Sequence, residues 1–132
     1  MANTESAENY LETILILSKR LPVVRSVDVA TELGFKKSSV SIAMKNLRQK
    51  QHITVTDAGY IYLTDSGREI AEMIYERHQL ISSWLIRLGV PEEIATEDAC
   101  RMEHVISKES FEALKKNAED ELQTIKNINE DA

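Results

Sequence analysis

Apolar positions near the start of the chain recur at helical intervals. In ESAENYLETILILSK, residues 5–19, Tyr10, Ile14 and Leu17 fall three or four apart, which predicts an amphipathic first helix broken by Leu21-Pro22. The period returns in VDVATELGF after Ser26, with Val29, Ala30 and Leu33 on one face and Gly34 as a stop. A third helix is expected over SVSIAMKNLRQKQ, capped by Ser38 or Ser39, with Val40, Ala43, Met44 and Leu47 on its apolar side. The period then drops from 3.6 to 2. ITVT and YIYLT are short β-branched and aromatic runs joined by Asp57-Ala58-Gly59, the pattern of a hairpin.

Helical spacing resumes after Thr64-Asp65-Ser66-Gly67. Ile70, Ile74, Ile81, Leu85 and Leu88 mark one stripe of a long helix ended by Gly89. Pro91 opens a fifth helix, EEIATEDACRMEHVI, and Ser107, with Ser110 three residues on, starts a sixth that leads to a final NEDA expected to fray. Two helices across a tight glycine turn, followed at once by a hairpin, form a helix-turn-helix with a wing. The predicted fold is mainly α: an N-terminal winged helix-turn-helix followed by a helical region.

Composition agrees, since 4 Gly and 2 Pro in 132 residues leave little material for loops. No apolar run approaches the roughly 20 residues of a membrane span, and the N-terminus lacks a signal pattern. A single cysteine makes no internal disulfide and suits a reducing cytoplasm. The net charge of −6 argues against a polyanionic partner until its distribution is considered. Between Lys19 and Lys50, eight basic residues face two acidic ones, so this stretch carries +6 and the rest of the chain is strongly acidic. Lys36, Lys37, Lys45 and Arg48 flank or line the third helix, with Ser38, Ser39 and Ser41 near its N-terminus. A lysine cluster is often only a solvated face. Here it coincides with the second helix of a helix-turn-helix, whose N-terminal residues reach base edges while flanking cations neutralise phosphates, so these seven residues are the expected contacts to double-stranded DNA.

A different chemistry gathers in EDACRMEHVIS, residues 97–107. Cys100, Glu103 and His104 stand at i, i+3 and i+4, on one helical face. Thiolate, carboxylate and imidazole together suit a divalent transition metal better than Mg²⁺ or Ca²⁺. Spacing alone leaves a second reading open: a cysteine buried as a small hydrophobe beside a surface Glu–His pair. His78 lies on the inward stripe of the long helix, and on the first helix Glu8, Asn9 and Glu12 offer oxygen donors, with Glu8 and Glu12 four apart.

Taken in order, ENYLETIL, VRSVDVATELG, SSVSIAMKNL, YIYLTDSGREIA, ERHQL and EDACRMEHVIS resemble the diphtheria-toxin-repressor family of iron- or manganese-dependent bacterial transcriptional repressors, over nearly the whole chain. The resemblance implies a homodimer, with residues 1–66 a winged-helix DNA-binding domain and residues 67–132 a helical metal-binding and dimerisation domain. It places metal ligands at Asn9, Glu12, His78, Cys100, Glu103 and His104. Asn9 is a departure, because manganese sensors carry Asp there and iron sensors Met. The second-site positions of the iron sensors hold Ser82 and Thr96, so that site is not expected in its known form. The length matches a short form without the C-terminal SH3-like domain of longer members.

The expected activity is metal-dependent repression: Fe²⁺ or Mn²⁺ joins the first, fourth and fifth helices, and the dimer then binds operators of metal-uptake genes. Zn²⁺ or Co²⁺ substitutes in vitro on intrinsic affinity. No membrane and no small organic ligand is expected, and neither is catalysis, because HExxH, glycine-rich phosphate loops and nucleophile elbows are missing. The competing expectation is a thiol-based redox regulator using Cys100, although Glu97, Asp98 and Glu103 beside it oppose a thiolate.

Overall fold

A computed structural model describes residues 2–131, with side chains placed for residues 7–130. Six helices flank one hairpin in the order α1 (Ala2–Arg20), α2 (Ser26–Leu33), α3 (Lys37–Gln49), β1 (Ile53–Val55), β2 (Ile61–Leu63), α4 (Asp65–Arg87), α5 (Glu92–Val105) and α6 (Lys108–Asp131). The chain divides into two compact units, Met1–Tyr75 and Glu76–Ala132. Of the NEDA tail expected to fray, Asn129 to Asp131 continue α6, and Ala132 lies outside the described residues.

In the N-terminal unit, Tyr10, Leu11, Ile14, Leu15 and Leu17 of α1 join Val24, Val29, Val40, Met44, Leu47, Ile53 and Ile61 in one core. The stripe predicted on α1 is there, but the helix is not simply amphipathic. Every residue from Tyr10 to Leu15 is buried, Glu12 and Thr13 included, as for a helix enclosed on all sides. Each buried aliphatic side chain contributes roughly 1.5–3 kcal/mol.

The ends of α2 follow local chemistry. The Asp28 carboxylate accepts the Arg25 backbone N–H at 2.9 Å, and Gly34 closes the helix at φ +69°, a conformation costly for a residue with a Cβ. Arg25 is the N-cap, and Ser26 is the first helical residue. The start of α3 also differs from expectation. Lys36 is its N-cap, so Ser38 and Ser39 lie within the first turn as exposed helical residues and cap nothing. Its apolar face is as predicted, with Val40, Met44 and Leu47 buried and Ala43 partly so.

The hairpin pairs Ile53 with Leu63, Thr54 with Tyr62 and Val55 with Ile61, antiparallel. Its turn is closed by the Gly59 N–H donating to Thr56 O (2.9 Å), with Gly59 at φ +85°. The Ile61 N–H donates to Val24 O (2.8 Å), tying the hairpin to the strap between α1 and α2. Thr64 then fastens the hairpin base to α4. Its hydroxyl donates to Gln51 O (2.7 Å) and accepts the Gly67 N–H (3.2 Å), and its own N–H reaches His52 O (3.1 Å).

In the C-terminal unit, Ile81, Ala95, Ala99, Phe111 and Ala118 are buried. The stripe predicted on α4 holds at Ile74 and Ile81, each 0% exposed, but fails at Leu88, which is 64% exposed. α4 ends at Arg87, and the Leu88 N–H is shared between Trp84 O and Leu85 O, so the chain has left the helical phase by that residue. Pro91 precedes the first turn of α5 as its N-cap. The Ser107 hydroxyl accepts the Ser110 N–H at 3.0 Å and caps α6.

Gly67 has no room for a side chain, because a Cβ there would sit 1.9 Å from His52 O. Gly67→Ala is expected to destabilise the protein by at least the ~1–3 kcal/mol of an overpacked site, measured as a lowered midpoint in denaturant or thermal unfolding, whereas Ala58→Gly in the turn changes it far less.

Candidate functional site

Three donor types converge within the C-terminal unit. His78 Nδ1, Cys100 Sγ and a carboxylate oxygen of Glu103 all lie within 4.8 Å of one another. His78 comes from α4, and Cys100 and Glu103 from successive turns of α5, so the i, i+3 spacing in the sequence does put thiol and carboxylate on one face. Glu103 Oε2 stands 2.9 Å from His78 Nδ1, while Oε1 stands 3.3 Å from His104 Nε2. Cys100 Sγ is 3.8 Å from His78 Nδ1 and is exposed. The alternative in which the cysteine is a buried hydrophobe does not hold.

Glu103 is 1% exposed, a depth at which an ionised carboxylate needs positive charge nearby. Burial alone pushes its carboxyl pKa up, but the imidazoles of His104, close to Oε1, and His78, hydrogen-bonded to Oε2, outweigh that and hold it below the ordinary 4.5. Hydrogen bonds to Cys100 and Glu103 push His78 from 6.5 up to about 10, against the opposing effect of partial burial. The donor set therefore fits a divalent transition ion. Imidazole, thiol and carboxylate face one another across a few ångströms, and the fully buried member is the one with negative charge.

The buried Arg77 has no counterpart in the sequence reading. Its Nη1 donates to Glu103 O and Ile106 O, both at 3.1 Å, and its guanidinium lies 5.4 Å from the Phe111 ring centroid. It thus satisfies carbonyls at the C-terminus of α5 and fixes the backbone that carries Glu103. The signal was present: position 77 lies three after Ile74 and four before Ile81, on the stripe that yielded His78. Ser82 and Thr96 spend their hydroxyls on their own helices, donating to His78 O (2.7 Å) and Glu92 O (2.9 Å).

The remaining candidate ligands belong to the N-terminal unit. Asn9 is half-buried on α1, its carbonyl accepting the Thr13 hydroxyl at 2.8 Å, and Glu12 is buried. On the same unit, Lys36, Lys37, Ser38, Ser39, Ser41, Lys45 and Arg48 are all exposed, and no described carboxylate pairs with any of the four cations. The hairpin is different. From Ile53 to Leu63 it carries no Lys or Arg and one acid, Asp57 at the turn.

The profile for an iron dependent repressor N-terminal DNA binding domain matches residues 3–58, and that for the metal binding and dimerisation domain of the same repressors matches residues 64–120. The transcriptional regulator MntR of Escherichia coli O157:H7 is 34% identical over 111 residues, covering 84% of this chain and 72% of that protein. An HTH-type transcriptional regulator of Methanocaldococcus jannaschii is 33% identical over 114 residues, covering 85% of this chain and 91% of its own. Among solved structures, a manganese-dependent transcriptional repressor in complex with manganese superposes with a TM-score of 0.77 at 25% identity, covering 84% of this chain. The chain spans about half the length of that structure, 51%.

The His78–Glu103 pair makes the stability of the metal-free protein depend on pH. With its folded pKa raised, His78 contributes fully below 6.5 and loses that contribution as pH rises through about 10. Glu103, with a depressed pKa, contributes above 4.5 and loses it as pH falls below its folded value. In chelator at pH 6, His78→Ala is expected to cost roughly 2–3 kcal/mol, below the usual loss for breaking a buried pair because His104 still faces the carboxylate. Denaturant titrations of both proteins should show the gap closing as pH passes 10.

Proposed function

Because the chain belongs to the iron-dependent, diphtheria-toxin-repressor family of metal-dependent DNA-binding transcriptional repressors, which are not enzymes, we propose that a divalent ion held by His78, Cys100, Glu103 and His104, with Asn9 and Glu12 of α1, licenses operator binding. The observation that carries the proposal is the convergence of His78, Cys100 and Glu103 within 4.8 Å around a buried carboxylate. When bound, the ion supplies two positive charges against Glu103. Residues 1–66 act as the winged-helix DNA-binding domain and residues 67–132 as the metal-binding and dimerisation domain.

Two ions suit these donors. The Cys100 thiolate favours Fe²⁺, while the oxygen and nitrogen donors of the other ligands, together with the likeness to a manganese-dependent repressor, favour Mn²⁺. The hydroxyls of Ser82 and Thr96 are already engaged, which supports one such centre in each chain.

DNA binding falls to α3 and its lead-in, with Lys36, Lys37, Lys45 and Arg48 on phosphates and Ser38, Ser39 and Ser41 near base edges or phosphate. In a homodimer, two such helices read half-sites about 34 Å apart, one turn of duplex. Metal enhances binding only in so far as these ligands hold it more tightly in the DNA-competent state. The target genes expected for such a repressor encode metal uptake.

The test is a gel shift on the DNA upstream of the chain's own gene, with Mn²⁺, with Fe²⁺ under anaerobic conditions, and with chelator. Wild type should bind only with metal. His78→Ala and Glu103→Ala should raise the metal requirement by more than the ~10–100-fold typical of outer-shell substitutions. Binding by both variants at wild-type metal concentrations would show the centre to be misassigned. Binding that ignores chelator and responds to peroxide would instead favour oxidation of Cys100.

A further inference from the structure

The exposed face of α3 holds one large apolar side chain among its described residues. Ile42 is 63% exposed, while Val40, Met44 and Leu47 are buried on the opposite side. At helical spacing Ile42 shares its face with Ser38, Lys45 and Gln49, with Ser41 and Asn46 to either side, all exposed. Core packing does not account for it, because that much of its surface meets solvent. Helix propensity does not either, since Ala, Lys, Gln and Glu are better helix formers at an exposed position. Its surroundings are those of a polyanion-facing surface, with Lys36, Lys37, Lys45 and Arg48 exposed in the same stretch.

An apolar side chain in such a setting has one good partner on duplex DNA. In the major groove each base pair shows donors and acceptors, and thymine alone adds a methyl group. Ile42 is the sixth residue of α3, in the half of a recognition helix that lies deepest in the groove. Lysines on phosphates fix register without reading sequence, and serine hydroxyls accept several bases, so neither supplies discrimination here.

We propose that Ile42 is a specificity-determining residue that packs against the C5-methyl of a thymine in each operator half-site. The proposal rests on α3 being the DNA-reading helix and adds which base pair it selects. Burying one methyl against Ile42 gives about fourfold in affinity, equivalent to ~0.8 kcal/mol, and roughly 15-fold over two half-sites.

The test uses a duplex selected from a randomised pool by the metal-loaded wild-type protein, prepared once with thymine and once with uracil. Uracil keeps every hydrogen-bonding group and removes only the methyl. Wild type should bind the uracil duplex roughly 4- to 15-fold more weakly, and Ile42→Ser should abolish that difference while keeping the wild-type melting temperature, because the position is exposed. Lys45→Ala should weaken both duplexes equally and flatten the salt dependence. Equal wild-type affinity for the two duplexes, or an undiminished preference in Ile42→Ser, overturns the assignment of Ile42 and leaves α3 as the reading helix. Failure of Lys45→Ala to weaken either duplex overturns the reading of α3 and Ile42 with it.

Discussion

A carboxylate that water does not reach has to be answered by positive charge, and Glu103 imposes that demand on everything around it. An isolated ionised carboxylate at such depth costs several kcal/mol, so α5 could not bury this residue without His78 from α4 and His104 beside it. Arg77 works on the backbone instead, clamping two carbonyls at the end of α5 so that the carboxylate is presented at a fixed height. Protons and divalent cations answer the same demand and compete for the same donor atoms. A donor set of this kind makes metal affinity depend on pH, because its ligands must give up their protons to bind.

The two signs of charge are separated along the chain. Basic residues crowd into the short stretch around α3, while carboxylates dominate elsewhere, and the overall −6 conceals both. Salt screens charges more than about 8–10 Å from a bound polyanion, so the local balance around α3 counts for such a partner and the chain's total does not. Net charge was therefore a poor guide to partner, and its distribution along the chain a good one.

Much of the architecture was legible because it rests on local signals. Gly34, Gly59 and the Ser107/Ser110 cap mark element ends whatever the tertiary context, and the change of period at Ile53 marks the hairpin. The thiol and carboxylate at 100 and 103 could be placed on one face from spacing alone. What escaped depended on neighbours distant in sequence. The burial of every residue from Tyr10 to Leu15 of α1, with Glu12 and Thr13 enclosed, has no period to betray it. Periodicity carried the α4 stripe one residue too far, to Leu88, because it does not register where the helix stops. Arg77 was passed over because a charged residue on a buried stripe reads as an interruption until the carbonyls it satisfies are known.

The acidic turn of the hairpin bears on how this protein grips a duplex. With Asp57 at the tip and no Lys or Arg from Ile53 to Leu63, the hairpin offers a polyanion no positive charge of its own, and on the proposed reading attraction falls to the exposed cations of α3 and its lead-in. The counterions released on binding are then those displaced by that stretch of each protomer, and the hairpin adds none.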